Sequence, residues 1–247
     1  MAVEVVAPGV WRAGTRFVNW WVVDGGTEGL TVVDAGLPNY RRGLDEALAA
    51  TGRSAADVRA LVLTHGHIDH VGTADVWAER GVDVWLHQAD AHLAAHPRSN
   101  RPQRNPLRYL GYPGMVAFLA HAVAEGAARP RPMPATRAMG DGQVLPVPGR
   151  PVVTHVPGHT DGSCLLEFRE HGAVFVGDLL CTVSPLSTRP APPQLQTRGS
   201  NHDSEEAMRS LDRLEGIASR LVLPGHGGPW RDGVPAAVAS ARRIGCR

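Results

Sequence analysis

The sequence predicts an α/β fold whose strands end in polar residues. Apolar or alternating runs, each followed by a turn signal, indicate strands, and stretches with helix-capping signals lie between them. Several of the runs lead directly into an aspartate or a histidine beside a glycine. Side chains at strand ends converge on one edge of a sheet, so we expect a polar site at that edge.

The strands and helices can be placed along the chain in order. The predicted strands are FVNWWVVDGG, GLTVVDAG, RALVLTH, VDVWLH, RPVVTHVPG, SCLLEF, AVFVGD and RLVLPGHG. One predicted helix begins at Pro38 and closes on Gly52. Another begins with a capping signal at Asp203 or Ser204, with Glu206 behind it. The pattern is that of a mixed α/β protein.

Composition restricts the classes of function. The chain has 247 residues, of which 43% are apolar and 20% charged, and a formal net charge of +1. This balance favours a single globular domain over residues 1–247 and gives no field that would recruit nucleic acid. No run approaches 18 apolar residues, and the N-terminal stretch lacks the features of a secretory signal. We therefore expect a cytoplasmic protein without a membrane span.

Residues 97–140 differ from the rest of the chain. They contain seven arginines, several prolines and only one acidic residue, Glu125. A short helix, GMVAFLAHAVAEG, is predicted within them. Two interpretations remain open: a solvated basic insertion, or a cap whose guanidinium groups hold an anionic part of a substrate. In the second case Arg104 and Arg108 are candidate substrate contacts.

A cluster of metal-binding residue types follows the predicted strand RALVL. The stretch THGHIDHVGT contains His65, His67, Asp69 and His70. Alternate residues of an extended segment face the same side, so His65 and His67 can address one ion. Asp69 and His70 follow at a turn and are directed to a second position. This pattern indicates a metal site.

Four clustered ligands cannot all close one small tetrahedral site, so the cluster requires further ligands from distant parts of the chain. Three candidates follow predicted strands: His159 in VPGHTDG, Asp178 at the end of AVFVGD, and His226 in LVLPGHGG. Only a folded sheet can bring these positions together. The sequence therefore predicts seven ligands contributed by several strand ends.

Taken together, these motifs resemble those of the metallo-β-lactamase superfamily. The resemblance covers nearly the whole chain, through TVVDAG, THGHIDH, GHT, FVGD and PGHG. It implies a four-layer αββα sandwich with metals on one edge. It also implies that His65, His67 and His159 hold one ion, that Asp69, His70 and His226 hold the other, and that Asp178 bridges both. Asp34 matches the first acidic motif, which supports the metal-binding loop without ligating.

The resemblance implies a hydrolase with two zinc ions, although iron or manganese also fits the donor set. Such a centre generates hydroxide near neutral pH, which attacks a carbonyl group of a small ester, lactone or thioester. Asp69 is the candidate for orienting water and moving protons. The motifs most resemble those of glyoxalase II-like hydrolases and lactonases. However, Gly66 occupies a position where glyoxalase II usually has histidine, and the loop from Thr182 to Asn201 lacks the tyrosine common in lactonases.

Several alternatives remain open at this stage. The main one is a mononuclear iron enzyme resembling persulfide dioxygenases, which use two histidines and one carboxylate on the same fold. A β-lactamase, a nuclease and a metal-binding protein without turnover are further alternatives. His202 is a candidate substrate contact because it lies in the loop after Asp178. The expected partner is a small molecule, and the sequence does not indicate an oligomeric state.

Overall fold

The computed structural model describes residues 1–246. Their strands are β1 (Ala2–Ala7), β2 (Val10–Gly14), β3 (Asn19–Asp24), β4 (Leu30–Val33), β5 (Val58–Val62), β6 (Asp83–His87), β7 (Arg137–Met139), β8 (Val152–His155), β9 (Cys164–Phe168), β10 (Ala173–Gly177), β11 (Cys181–Val183), β12 (Pro190–Gln194) and β13 (Leu221–Pro224). The helices are α1 (Leu44–Ala49), α2 (Ile68–Val71), α3 (Ala74–Glu79), α4 (Ala91–Ala95), α5 (Pro113–Ala124), α6 (Ser204–Ser210) and α7 (Gly233–Ile244). Short 3-10 turns occupy several of the connections.

The strands form two main sheets. The larger sheet has the order β1-β2-β3-β4-β5-β6-β7, and its strands β4 to β7 pair in parallel. The smaller sheet has the order β13-β10-β9-β8, in which β10 and β13 are parallel. Strands β11 and β12 form a separate antiparallel pair. All the strands predicted from apolar runs are present in one of the two main sheets.

Alternation along the strands divides the core into three clusters. In β4, Val32 belongs to a cluster with Leu48 of α1, whereas its neighbour Val33 belongs to a cluster with Phe175 of the smaller sheet. In β10, Val174 packs on the other side of the smaller sheet, in a cluster that includes residues of α7. Successive residues of a strand face opposite sides, so the layers are helix, sheet, sheet, helix. The predicted αββα sandwich is confirmed.

The helix ends show where local signals were sufficient. Helix α6 begins after Asp203, whose side chain accepts a hydrogen bond of 2.8 Å from the backbone N–H of Glu206. The predicted helix from Pro38 to Gly52 is divided instead: a 3-10 turn covers Pro38–Gly43, and α1 follows it.

Among residues 1–246, none of the helices is both long and apolar enough to cross a membrane.

Candidate metal centre

The seven predicted ligands meet where β5, β10 and β13 end. His65 and His67 follow β5, and Asp69 and His70 lie on the short helix α2. Asp178 directly follows β10. The remaining two ligands come from loops, His159 from the loop after β8 and His226 from the loop after β13. Parallel pairing of β10 with β13 brings their ends to the same edge, which explains why distant motifs converge.

The first group of donors consists of three imidazole rings. His67 Nδ1 lies 3.1 Å from His65 Nε2 and 2.9 Å from His159 Nε2. Their ligand atoms lie within 4.8 Å of one another, as a common metal ion requires. His65 and His159 are 1% and 2% exposed, so their ring nitrogens are shielded from bulk water.

The second group combines one carboxylate with two imidazoles. The Nε2 atom of His226 lies 3.4 Å from Asp69 Oδ2, and that of His70 lies 3.9 Å from the same oxygen. Ligand atoms of these three residues also lie within 4.8 Å of one another. This group therefore offers a second position that could hold a metal ion.

Asp178 lies between the two groups. Its Oδ2 atom is 3.5 Å from Nε2 of His159 and 3.0 Å from Nε2 of His226. Its Oδ1 atom is 3.4 Å from Nε2 of His70. One carboxylate thus faces donors of both groups, which is the position that a bridging ligand needs. The bridging role itself stays a prediction.

Hydrogen bonds on the outer side of the rings orient four of the five histidines. In each, Nδ1 faces an oxygen atom and Nε2 faces the centre. The partners are Thr64 Oγ1 at 3.0 Å for His65, Asp34 Oδ2 at 2.9 Å for His70, Asn201 Oδ1 at 2.9 Å for His159 and the Phe17 carbonyl oxygen at 2.6 Å for His226. An N–H group that donates outward leaves the Nε2 lone pair for a metal. Asp34 thus contacts His70 on its outer side, and its role in supporting the metal-binding loop stays a prediction.

The donor set fits divalent metal ions. His70 Nε2 and Asp178 Oδ1 are buried, lie 3.4 Å apart and have no hydrogen-bond partner within residues 1–246. Buried polar atoms are normally paired, so a nitrogen and an oxygen that face each other without a hydrogen bond fit two ligands of a metal ion. Imidazole nitrogens and carboxylate oxygens suit zinc, iron or manganese. The clusters therefore imply divalent metal ions without identifying the element.

The two groups differ in their affinity for protons. Burial lowers the pKa of His159 to about 3 and holds the pKa of His65 well below its usual value, with neighbouring imidazoles adding to the effect. Burial also acts against protonation of His70, but the carboxylates of Asp178, Asp34 and Asp69 outweigh it and raise the pKa to about 9. The pKa of His226 is likewise well above its usual value, because Asp178 and Asp69 outweigh its burial.

Asp90 is a buried residue that sequence analysis missed. Its carboxylate accepts hydrogen bonds from the Gly66 and Gly162 N–H groups, both at 2.7 Å, and from the Thr160 hydroxyl at 2.6 Å. It therefore ties the loop of His65 to the loop of His159. An added Cβ at Gly66 would lie 3.0 Å from the Asp90 carbonyl oxygen, so the glycine suits this close packing. The position of Asp90 just beyond β6 was the available signal.

Two other missed residues come from the loop between Asp178 and α6. The buried Asn201 orients His159, as described above. The buried Gln196 donates a hydrogen bond of 3.2 Å from Nε2 to Asp178 Oδ2. Sequence analysis had proposed only His202 as a contact from this part of the chain and gave no means of choosing between its other polar residues.

A cavity of about 450 Å³ opens onto the metal centre. Five of the seven predicted ligands line it: His67, Asp69, His159, Asp178 and His226. Segment 97–140 contributes part of the wall, largely through α5, and Gln196 lies on the opposite side. The cavity can therefore admit a small molecule to the predicted ligands.

The predicted substrate contacts lie outside this cavity. Arg104 and Arg108 are exposed and line a second cavity of about 350 Å³, together with Tyr109 and Tyr112. The side chains of segment 97–140 that line the first cavity are mostly apolar. Burying an unpaired guanidinium group there would be costly. His202 has its Nε2 atom 2.8 Å from the Asn100 side-chain oxygen and does not line the cavity. Substrate binding by these three residues stays a prediction.

Comparisons with known proteins agree with this geometry. The sequence profile described as "Metallo-beta-lactamase superfamily" matches residues 13–226. The "Probable metallo-hydrolase YqjP" of Bacillus subtilis is 27% identical over 82% of this chain, which spans 65% of that relative's length. The "Acyl-coenzyme A thioesterase MBLAC2" of Gallus gallus is 30% identical over 87% of this chain and 74% of its own.

Solved structures extend the comparison to the fold. TTHA1429, a metallo-beta-lactamase family protein from Thermus thermophilus, superimposes with a TM-score of 0.67 at 27% identity, over 97% of this chain and 79% of its own. TTHA1623, solved in a di-iron-bound form, superimposes with a TM-score of 0.63 at 26% identity. The match covers 93% of this chain and 96% of TTHA1623. The profile covers well over half of the sequence. The two sheets bring the candidate metal ligands of this chain together at one edge. The chain belongs to the metallo-beta-lactamase superfamily.

Proposed function

We propose that this chain is a hydrolase that cleaves a small carboxylic ester, lactone or thioester with two divalent metal ions, preferably zinc. The observation that carries the proposal is the convergence of seven donors beside an open cavity that five of them line. In this proposal one ion is held by His65, His67 and His159, the other by Asp69, His70 and His226, with Asp178 shared between them.

The chemistry divides between the ions and the protein. When bound, two divalent ions would lower the pKa of water toward neutrality and polarise a carbonyl group. Asp69 lines the cavity and supplies the proton acceptor. Burial raises the pKa of Asp69, but the imidazoles of His70 and His226 outweigh burial and keep the pKa below its usual value. Asp69 is therefore an ionised carboxylate that can orient a water molecule and accept its proton.

Two observations narrow the choice of reaction. A second complete donor group favours two ions over the single ion of a mononuclear iron oxygenase. The 30%-identical chicken relative is named an acyl-coenzyme A thioesterase, which supports thioesters as the first substrates to test.

Among residues 1–246, no cysteine lines the cavity, so the proposal does not use a thiol nucleophile.

The test is a substrate panel with the zinc-loaded chain. We expect hydrolysis of at least one activated ester, thioester or lactone, and loss of that activity after chelation. Asp69→Asn should retain zinc through its amide oxygen but lose at least about a hundredfold in kcat, because the proton acceptor is gone. Asp45→Asn is the matched control, since Asp45 is exposed and lies outside the cavity. No hydrolysis across the panel by protein with two zinc equivalents would reject the proposal.

A further inference from the structure

Apart from the proposed ligands, most of the side chains that line the cavity beside the metal centre are apolar. The exceptions are Arg16, Asn100, Ser184, Thr188, Gln196 and Ser200. Helix α5 lines it with Met115, Phe118, Leu119, Ala122 and Val123. The facing parts of the wall include further apolar side chains, those of Phe17, Ile68 and Leu93. A cavity of about 450 Å³ with such a lining is of the size that takes a chain-like or drug-sized ligand.

Away from the proposed ligands, the wall of this cavity offers an anionic ligand little charge to pair with. Apart from the proposed ligands, Arg16 is the one charged side chain that lines it within residues 1–246. Arg16 is exposed, and its guanidinium carbon lies 4.4 Å from the centroid of the Phe17 ring, so its charge is accessible to solvent. A carboxylate under α5 would therefore lose hydration without gaining a buried charged partner from the wall.

We propose that the acyl group of the substrate is an uncharged, apolar chain that lies under α5, with its carbonyl end at Asp69 and Asp178. The position of the carbonyl end rests on the proposed hydrolase function, whereas binding of the chain depends only on the wall. Each buried methylene contributes to binding, so affinity rises about fourfold for each one added until the cavity is filled. Anionic groups of a substrate then belong to the leaving group, outside this cavity.

Helix α5 supplies a matched pair of positions for the test. Leu119 lines the cavity and is 39% exposed, so a substitution there changes the wall without entering the protein core. Val116 lies one turn earlier on the same helix, is 47% exposed and does not line the cavity. Leu119→Asp and Val116→Asp place the same charge on the same helix, but only the first places it in the proposed acyl site.

The experiment measures binding by calorimetry to the zinc-loaded full chain. The probes are neutral primary amides with straight chains of about four to eight carbons. We expect the dissociation constant to fall about fourfold per methylene in the natural chain and in Val116→Asp. The gain should disappear in Leu119→Asp and shrink in Leu119→Ala, with folding checked by circular dichroism.

A dissociation constant that does not change with chain length in the natural chain would overturn the inference. The natural-chain series gives this answer even where Leu119→Asp fails to fold. A parallel series of acyl thioesters with one neutral leaving group separates this inference from the proposed function. Tighter binding of longer amides without hydrolysis of any substrate would reject the hydrolase and keep the acyl site. Hydrolysis of the acetyl thioester without any gain from chain length would do the reverse.

Discussion

At the scale of single residues, the metal centre depends on hydrogen bonds behind the ligands. Asn201 is 1% exposed, and its side-chain oxygen faces Nδ1 of His159. That contact fixes the ring so that Nε2 points toward His67. Outer partners of this kind hold a ligand ready for metal binding, and their loss typically costs about 10- to 100-fold in affinity.

We therefore predict that Asn201→Leu weakens zinc binding by about 10- to 100-fold, as measured by competition with a chelating dye. Asn201→Asp keeps an oxygen facing His159 and should restore most of the affinity. Asn105→Leu is the control, because Asn105 is exposed and only caps a turn of segment 97–140. Equal affinities in Asn201→Leu and Asn201→Asp would show that the residue is structural and does not orient His159.

The pKa differences between the two groups predict how zinc binding depends on pH. The pKa of His70 is raised to about 9, and the pKa of His226 is also raised. Both rings are therefore doubly protonated and positively charged at pH 7 in the metal-free protein. Those of His65 and His159 are lowered, so these rings are neutral there. Zinc must displace protons only from the second group, and its affinity there falls as the pH falls.

Calorimetry at pH 7 in buffers of different ionisation enthalpy measures this directly. We expect the first zinc equivalent to release few protons and the second to release about two. Lowering the pH from 7 to 6 should weaken the second equivalent by up to about a hundredfold and leave the first nearly unchanged. Equal proton release by both equivalents would contradict the assignment of the two groups.

Sequence analysis found ligands more readily than their supports. His65, His67 and Asp178 were predictable because a strand leads directly to each of them and short motifs surround them. Asp90 and Asn201 were missed because they act through hydrogen bonds to loops that are distant in sequence. Such contacts leave no spacing pattern, since only the folded chain determines which polar side chain reaches a given backbone group.

At the scale of elements, the loops that carry the ligands are held by one buried carboxylate. Asp90 connects the loop after β5 with the loop after β8. Asp90→Ala would leave two buried N–H groups without partners, so we predict a loss of about 3 kcal/mol or more in the free energy of unfolding. Urea denaturation measures this loss.

The control is a residue of the strand that precedes Asp90. Asp83 of β6 makes an exposed ion pair of 2.8 Å with Arg137. Exposed pairs contribute little, so Asp83→Ala should cost at most about 1 kcal/mol. Similar losses in the two variants would show that Asp90 does not hold the loops together.

The loop after β13 allows the ligands to be moved without replacing them. An added Cβ at Gly225 would lie 2.4 Å from Asp178 Oδ1 and 2.4 Å from His70 Cε1, so both side chains must shift. A displacement of about 1 Å in a catalytic site can cost about a hundredfold in rate. We predict that Gly225→Ala lowers kcat on the best panel substrate by about that factor.

Gly228 in the same loop provides the control. An added Cβ there meets no atom within 4 Å among the described residues, so Gly228→Ala should keep kcat within about twofold. Both variants should show the circular dichroism spectrum of the natural chain. Full activity in Gly225→Ala would contradict the placement of Asp178 and His70 at the reacting centre.

At the scale of the whole molecule, the topology explains why the motifs are spread along the chain. Parallel strands occur in both sheets, and the segments that follow β5, β10 and β13 carry most of the predicted ligands. The layered architecture was predictable because it follows from the apolar runs and the motifs. The wall of the cavity was not, because segment 97–140 contains both arginines and apolar residues, and only its packing shows which of them face the metal centre.

The central claim is that the seven converging residues hold two divalent ions. Anomalous diffraction at the zinc edge, from crystals of the zinc-loaded chain, tests it most directly. We predict two peaks per chain, one among His65, His67 and His159 and one among Asp69, His70 and His226, with Asp178 contacting both. A single peak, or peaks away from these side chains, would contradict it.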